Sequence, residues 1–215
     1  MTASNYLENA LKDKTLRNVN YTVTTVYLAL HTGAPGDAGA ANECTGGSYA
    51  RQTSTWDAAV TDTLTGNTAS VSFTGMPAVV APGVVAVSWW DAVSGGNCLL
   101  WGWLTNSAEL PKPFVLVDTA TDLFLAPSHG YANNDLVTLS SEIGATTIPT
   151  GVSADTLYYV VSTLTNSFQL SLTSGGAAIS ITATGSGFVQ RIVPKTVNAG
   201  DTLTFSAGTA KVAAY

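Results

Sequence analysis

The chain has two histidines, His31 and His129. Histidine is the side chain whose unperturbed pKa suits proton transfer near neutral pH. His31 ends the run Val26-Tyr27-Leu28-Ala29-Leu30 and is followed by Thr32 and Gly33. That position predicts a hydrogen-bonding residue at the mouth of a loop rather than a base. His129 lies in Pro127-Ser128-His129-Gly130, a composition that reads as a turn. Neither has a nucleophile and an acid at a recognisable spacing, and no GxSxG, HExxH, P-loop or dinucleotide fingerprint occurs. Asp118, Asp122, Asp135 and Asp155 fall in or near turns. Oxygen-rich turns hold Ca²⁺ in some proteins, but Asp in a turn more commonly caps the local backbone. Cys44 and Cys98 share no short spacing and have no neighbouring histidine, so they read as free thiols rather than zinc ligands. The expectation is no catalytic residue, no metal and no cofactor.

Tryptophan offers a different chemistry. Trp56, Trp89, Trp90, Trp101 and Trp103 supply flat apolar faces for a core, a subunit contact or a stacked sugar. Trp89 and Trp90 are adjacent, so on a strand they point to opposite faces. One of them is expected to be exposed or covered by a neighbour, and aromatic residues are enriched at interface centres. Trp101 and Trp103 share a face with Leu99 in this reading and belong to the core. Leu7 and Leu11 follow a helical period near the N-terminus. Leu7, Leu11, Trp89 and Trp90 are the interface candidates.

The elements that must position these residues are mostly strands. Residues 4 to 16 form the one convincing helix, with Ser4 or Asn5 as cap and Glu8 placed as in a capping box. Its leucines must cover an open end of the β-domain or reach another subunit. From Tyr21 the period changes to two. Strands are expected at Val23 to Leu30, Ser48 to Trp56, Ala69 to Phe73, Val84 to Asp91 and Cys98 to Leu104, with Gly-rich turns between. Between Pro111 and Pro194 strands recur quickly, at Phe114 to Val117, Leu123 to Ala126, Leu136 to Leu139, Leu157 to Val161, Ser167 to Leu172, Ala178 to Thr182 and Phe188 to Val193. Phe168, Leu170 and Leu172 alternate with Gln169 and Ser171, which predicts one buried face. The fold class is therefore all-β: a β-sandwich or jelly-roll-like domain with one short N-terminal helix and an inserted small β-domain. The expected domains are 1–110 plus 195–215, and the insertion 111–194.

Length and charge bound the function. At 215 residues the chain is long enough to bury a core without a metal or disulfide. Hydrophobic residues make up 46% and charged residues only 10%, against about 25% charged in a typical domain. Few charges mean weak mutual repulsion, which suits many closely packed copies. The net charge is −6 and the eight Lys and Arg form no cluster, so neither nucleic acid nor an anionic membrane is an expected partner. No apolar run approaches the ~20 residues of a membrane span. The N-terminus, MTASNYLENALKDKTLRN, lacks a secretory pattern, so synthesis in a cytoplasm is expected.

The segments SNYLENALKDKTLRN, VYLALHT, GAPGDAG, GGSYARQ, WWDAVSGGNCLLWGWLT and KTVNAGDTLTFSAG occur in this order. In that order they resemble a family of tailed-phage virion structural proteins, variously described as tail-fibre or capsid-decoration-type proteins. The resemblance covers residues 4 to about 105 and 195 to about 208. The segment between, including DLFLAPSHGYANNDLVTLSS and TLYYVVSTLTNSFQLSLTSGGAAISI, resembles a β-module found in other phage structural proteins. The resemblance implies a virion location, assembly without catalysis, and other virion proteins (the major capsid protein or tail proteins) or further copies of the chain as partners. Two placements follow: a capsid decoration protein that stabilises the head, which low charge and compact size favour, and a tail or tail-fibre protein that contacts the host. A carbohydrate-binding module is a third reading, carried by the tryptophans alone.

Overall fold

The computed structural model describes residues 2–58, 65–106, 108–114, 116–141 and 147–212. The chain is all-β with one helix; 37% of it is strand and 7% helix. It divides into two compact units, residues 1–104 with 194–215, and residues 105–193.

In the first unit an antiparallel sheet runs in the order Thr2–Ala3, Cys98–Trp103, Ala86–Trp90, Val26–His31, Gln52–Ser54. Three two-stranded ladders face it: Lys195–Val197 with Val79–Val84, Leu203–Phe205 with Val71–Phe73, and Lys211–Val212 with Thr65–Gly66. Val71, Phe73, Val79, Val84, Val197 and Phe205 from the ladders share one core with Leu28, Leu30, Val87, Trp89 and Leu99 from the sheet. This is the sandwich arrangement, with inward residues alternating along each strand. Tyr49 stacks on Phe73 at 5.9 Å between ring centroids, and Phe205 meets Phe73 edge-on at 6.4 Å.

The Ala86–Trp90 strand is buried along its whole length. Its register with Cys98–Trp103 shifts at Trp89 and Trp90: Leu100 faces Trp89 and Cys98 faces Trp90, leaving Leu99 unpaired. Leu99 and Leu100 both pack against the sandwich core, as the extra residue of a β-bulge permits. Trp101 and Trp103 lie opposite Ser88 and Ala86, on the other side of the sheet. Strict alternation had grouped Leu99 with these two tryptophans; the bulge separates them. A long segment, residues 32 to 50, covers that second side. Gly39 lies there with φ +72°, and a Cβ added to it would fall 2.3 Å from Cys98 Sγ and 3.1 Å from Trp90 Cζ2, so only glycine allows this approach.

The helix spans Asn5–Arg17. Ser4 is its N-cap: Ser4 Oγ accepts from the Leu7 N–H at 3.1 Å and donates to the Cys98 carbonyl. Ser4 N–H also donates to the Leu99 carbonyl at 3.0 Å. Ser4 thus joins the start of the helix to the sheet edge. With Ser4 as cap, Glu8 falls one place past the capping-box position. Asn18, left-handed at φ 55°, ends the helix.

The second unit is a seven-stranded antiparallel sheet. Its order is Leu116–Asp118, Leu123–Leu125, Ser167–Ser171, Leu157–Val161, Leu136–Ser140, Gly187–Arg191, Lys112–Phe114. The two edge strands, Lys112–Phe114 and Leu116–Asp118, are one residue apart in the chain, so the sheet wraps on itself. The expected strand from Phe114 to Val117 crosses this point, and residue 115 lies outside the described residues. The inside is filled by Phe114, Phe124, Leu139, Phe168, Leu170 and Val189. Phe124 and Phe168 stack at 5.6 Å, and Phe114 meets Phe124 edge-on at 5.5 Å. Two expectations fail here. The Ser167 strand ends at Ser171, so Leu172 is exposed. Residues 178 to 182 form no strand: the Ile179 N–H donates to the Leu170 carbonyl, and the Ile181 N–H donates to the Asp122 carboxylate at 2.7 Å.

The two stems of the 105–193 segment start from neighbouring positions of the first unit. The Leu104 N–H donates to the Val85 carbonyl at 2.8 Å, and Lys195 pairs with Val84. A short linker is therefore enough to join them. A chain with residues 105–193 replaced by a short Gly-Ser linker is expected to keep its near-UV circular dichroism and a cooperative thermal transition. An insoluble product, or one without near-UV signal, overturns that expectation.

Candidate functional site

The side of the Ala86–Trp90 strand away from the sandwich core carries a polar network at full burial. His31 and Ser88 have no exposed surface. His31 Nδ1 lies 2.8 Å from the Ala41 carbonyl and Nε2 lies 2.6 Å from Ser88 Oγ. A carbonyl only accepts, so Nδ1 carries the proton and Nε2 accepts from the serine hydroxyl. Ser88 Oγ in turn accepts from the Trp90 indole N–H at 2.7 Å. The chain of donation is Trp90 to Ser88 to His31 to Ala41. A serine bonded to a histidine is the pairing used in nucleophilic catalysis, but here the hydroxyl is sealed from solvent and the third group is a carbonyl. What the network does is fasten the 32–50 segment to the sheet. Burial pushes the His31 pKa down, which keeps the ring neutral.

Beside it Arg51 lies over Trp90, with Cζ 3.4 Å from the ring centroid. Its Nε and Nη2 donate to Glu43 Oε1 and Oε2 at 2.9 and 2.8 Å, a two-pronged ion pair. Nη1 donates to the Gly95 carbonyl at 2.8 Å and to the Ala92 carbonyl at 3.3 Å. Tyr49 Oη accepts from the Leu30 N–H at 3.0 Å and donates to Glu43 at 3.2 Å. Burial raises the Glu43 pKa, but the hydrogen bonds and charge of Arg51 outweigh it and the net shift is downward. An open groove of about 380 Å³ reaches Glu43, with an apolar wall from Pro77 to Pro82. Arg51 already satisfies the carboxylate there.

The interface candidates fall into two groups. Trp89 and Trp90 do point to opposite faces, and both are buried. Trp89 packs in the sandwich core against Trp56 at 5.6 Å. What covers Trp90 is this chain's own Arg51 and the segment around Gly39. Trp89, Trp90 and Trp101 are buried, and Trp56 and Trp103 are half-buried. Leu7 is half-buried and Leu11 exposed, on a helix with no buried residue. Ser88, Glu43 and Arg51 were not singled out by sequence; they meet only through strand register and the return of a long loop.

The remaining candidates are structural. His129 Nε2 donates to the Leu164 carbonyl at 2.8 Å, and Nδ1 accepts from the Tyr131 N–H at 2.9 Å. Asp118 accepts from the Ala120 N–H and the Thr121 hydroxyl, and these bonds hold its carboxyl below its usual range. Asp135 accepts from the Ala132 N–H and pairs with Arg191 at 3.0 Å. Asp155 sits at a turn with φ 53°. Among the described residues no three His, Cys, Asp or Glu side chains group as metal ligands, and no helix is long and apolar enough to cross a membrane. Cys44 and Cys98 are free and buried, with burial pushing their thiols up to about 11 and about 12. Both are held in the unreactive thiol form.

Arg51→Ala strands Glu43 and uncovers Trp90. It is expected to destabilise the chain by roughly 3–5 kcal/mol, read from the urea midpoint. Arg51→Ala with Glu43→Gln should recover part of that loss, since no lone charge remains. The pH dependence has a definite sign. His31 is neutral in the fold with a pKa below the ordinary 6.5, so the unfolded chain takes up its proton first. Stability is full above that value and falls as pH drops through it. Urea midpoints should decline on acidification from neutral pH, and the decline should flatten in His31→Gln. An unchanged slope in that variant sinks the assignment.

A family model described as podophage GP4 fiber I protein gp80 matches residues 2–115. No curated protein matches the chain. The matched stretch holds the helix, the five-stranded sheet and the His31–Ser88 and Glu43–Arg51 contacts. It covers more than half of the 215 residues, and the chain belongs to this family of tailed-phage virion structural proteins.

Proposed function

We propose that this protein is a non-enzymatic component of a podophage tail fibre, working by assembly with other virion proteins. The match of residues 2–115 to a fibre protein family carries the reading. The chemistry of the chain supports it. The serine, histidine and cysteine side chains with nucleophile or base potential are sealed in the fold, and the strongest ion pair is spent on holding a loop. Low charge, with 10% Asp, Glu, Lys and Arg, keeps the cost of packing copies together small. In this reading residues 2–115 hold the part shared with the fibre protein family, and the wrapped sheet of the second unit, residues 105–193, is an inserted module of the kind its sequence resembles. Synthesis takes place in the host cytoplasm and the finished protein resides in the virion.

Capsid decoration, which the composition also suits, makes a different prediction about numbers. Quantitative mass spectrometry of purified virions should give far fewer copies of this chain than of the major capsid protein. Immunogold labelling should mark the tail end of the particle. Copy numbers comparable with the capsid protein, with label spread over the head, would place the chain in the decoration role instead.

A further inference from the structure

The helix Asn5–Arg17 is attached to the chain mainly at its first turn. The Ser4 cap bonds to Cys98 and Leu99, and the Asn5 N–H donates to Asp37 Oδ1 at 3.1 Å. Beyond that turn none of its thirteen residues is buried. A 13-residue helix is marginal in water by itself, because most helical stability in proteins comes from packing an apolar face. Its own pairs add little: Glu8–Lys12 at 3.8 Å and Asp13–Arg17 at 3.0 Å are exposed, and such pairs contribute about 0.3–0.5 kcal/mol each.

The helix and the residues after it gather exposed apolar side chains. Among the described residues Tyr6, Leu11, Leu16 and Val19 are exposed, Leu16 to 81%. Four of the ten large exposed hydrophobics thus fall within fourteen consecutive residues. The charge of the same stretch is opposite to that of the rest. The helix carries Lys12, Lys14 and Arg17 against Glu8 and Asp13, a net +1, while the remainder of the chain is −7. Lys14 reaches only the side-chain oxygens of Asn18 and Asn20 and has no carboxylate partner among the described residues.

From these two observations we infer that the helix is a docking element for a second copy of this chain. Two copies at −6 each repel over most of their surface. The helix is where an approaching acidic copy meets cations and apolar side chains together. The attraction joins unlike surfaces, the helix of one copy and carboxylates elsewhere on the next. The contact is therefore heterologous, and it closes into a ring if the rotation allows. A helix of thirteen residues is about 20 Å long and covers only part of the roughly 1,200 Å² of a stable interface. A single contact is therefore weak, and repetition around a ring strengthens it. The inference holds wherever on the virion the chain sits.

The full chain tests it by sedimentation velocity over a range of concentrations at low and high salt. The wild type is expected to associate as concentration rises, less strongly in high salt. Leu11→Asp with Leu16→Asp, and separately Lys12→Glu with Lys14→Glu and Arg17→Glu, should each weaken association by about tenfold or more. Leu16→Met should leave it unchanged. Near-UV circular dichroism checks that each variant keeps its packed tryptophans, which is expected because none of these residues is buried. A wild type that stays monomeric at every concentration overturns the inference. So does an oligomer that the aspartate and glutamate variants leave intact, since another surface then holds it together.

Discussion

The Ala86–Trp90 strand is buried on both faces, and the first unit is organised around that constraint. A strand in an antiparallel sheet usually has one face in the core and one toward water. Here Val87 and Trp89 lie in the sandwich core, while Ala86, Ser88 and Trp90 face the other way and are buried too. The second face therefore needs its own cover. The 32–50 segment supplies it, and a loop lying over a sheet brings backbone polar groups that must be paired. The donation chain from Trp90 through Ser88 and His31 pairs the Ala41 carbonyl. The Glu43–Arg51 ion pair ties the segment down through its side chains, and the guanidinium closes over the indole. Residues that looked like chemistry in the sequence thus hold the cover in place.

Burial changes what these groups do. A histidine with no exposed surface stays neutral, two cysteines held well above neutral pH stay protonated, and a carboxylate facing a guanidinium stays charged. Each state favours a fixed structure over reactivity. The second unit combines an aromatic core with its own buried polar ties, His129 to the Leu164 carbonyl and Tyr131 to the Val189 carbonyl. Its sheet wraps around three phenylalanines at van der Waals contact, and its aspartates serve turns. A virion part that must survive outside a cell gains from such passivity.

Against this closed interior the helix stands out, with none of its thirteen residues buried. Its cap ties it to the sheet edge through Ser4, yet Leu11 and Leu16 face outward. An otherwise acidic, weakly charged chain presents there its only run of three cations in six residues. Assembly through a small adhesive element is compatible with a body that offers little else to bind.

The β-rich class, the single helix and the approximate place of most strands are legible along the chain. These follow from local rules: period-two alternation, Gly-rich turns, and a Ser-capped helix start. The sequence also carried the family resemblance, because the motifs between Ser4 and Thr105 follow one another in a fixed order along the chain. Which face each tryptophan occupies depends on strand pairing across the sheet. One unpaired residue, Leu99, moves Trp101 and Trp103 to the opposite side from that leucine, and a bulge is set by the partner strand rather than by the residues within it. The His31–Ser88 and Glu43–Arg51 contacts were likewise invisible, since 57 residues separate the first pair and register alone brings it together. The stretch 178 to 182 alternates like a strand, but its N–H groups find Leu170 and the Asp122 carboxylate instead of a ladder. Alternation records which residues are apolar; the pairing that uses them depends on contacts far along the chain.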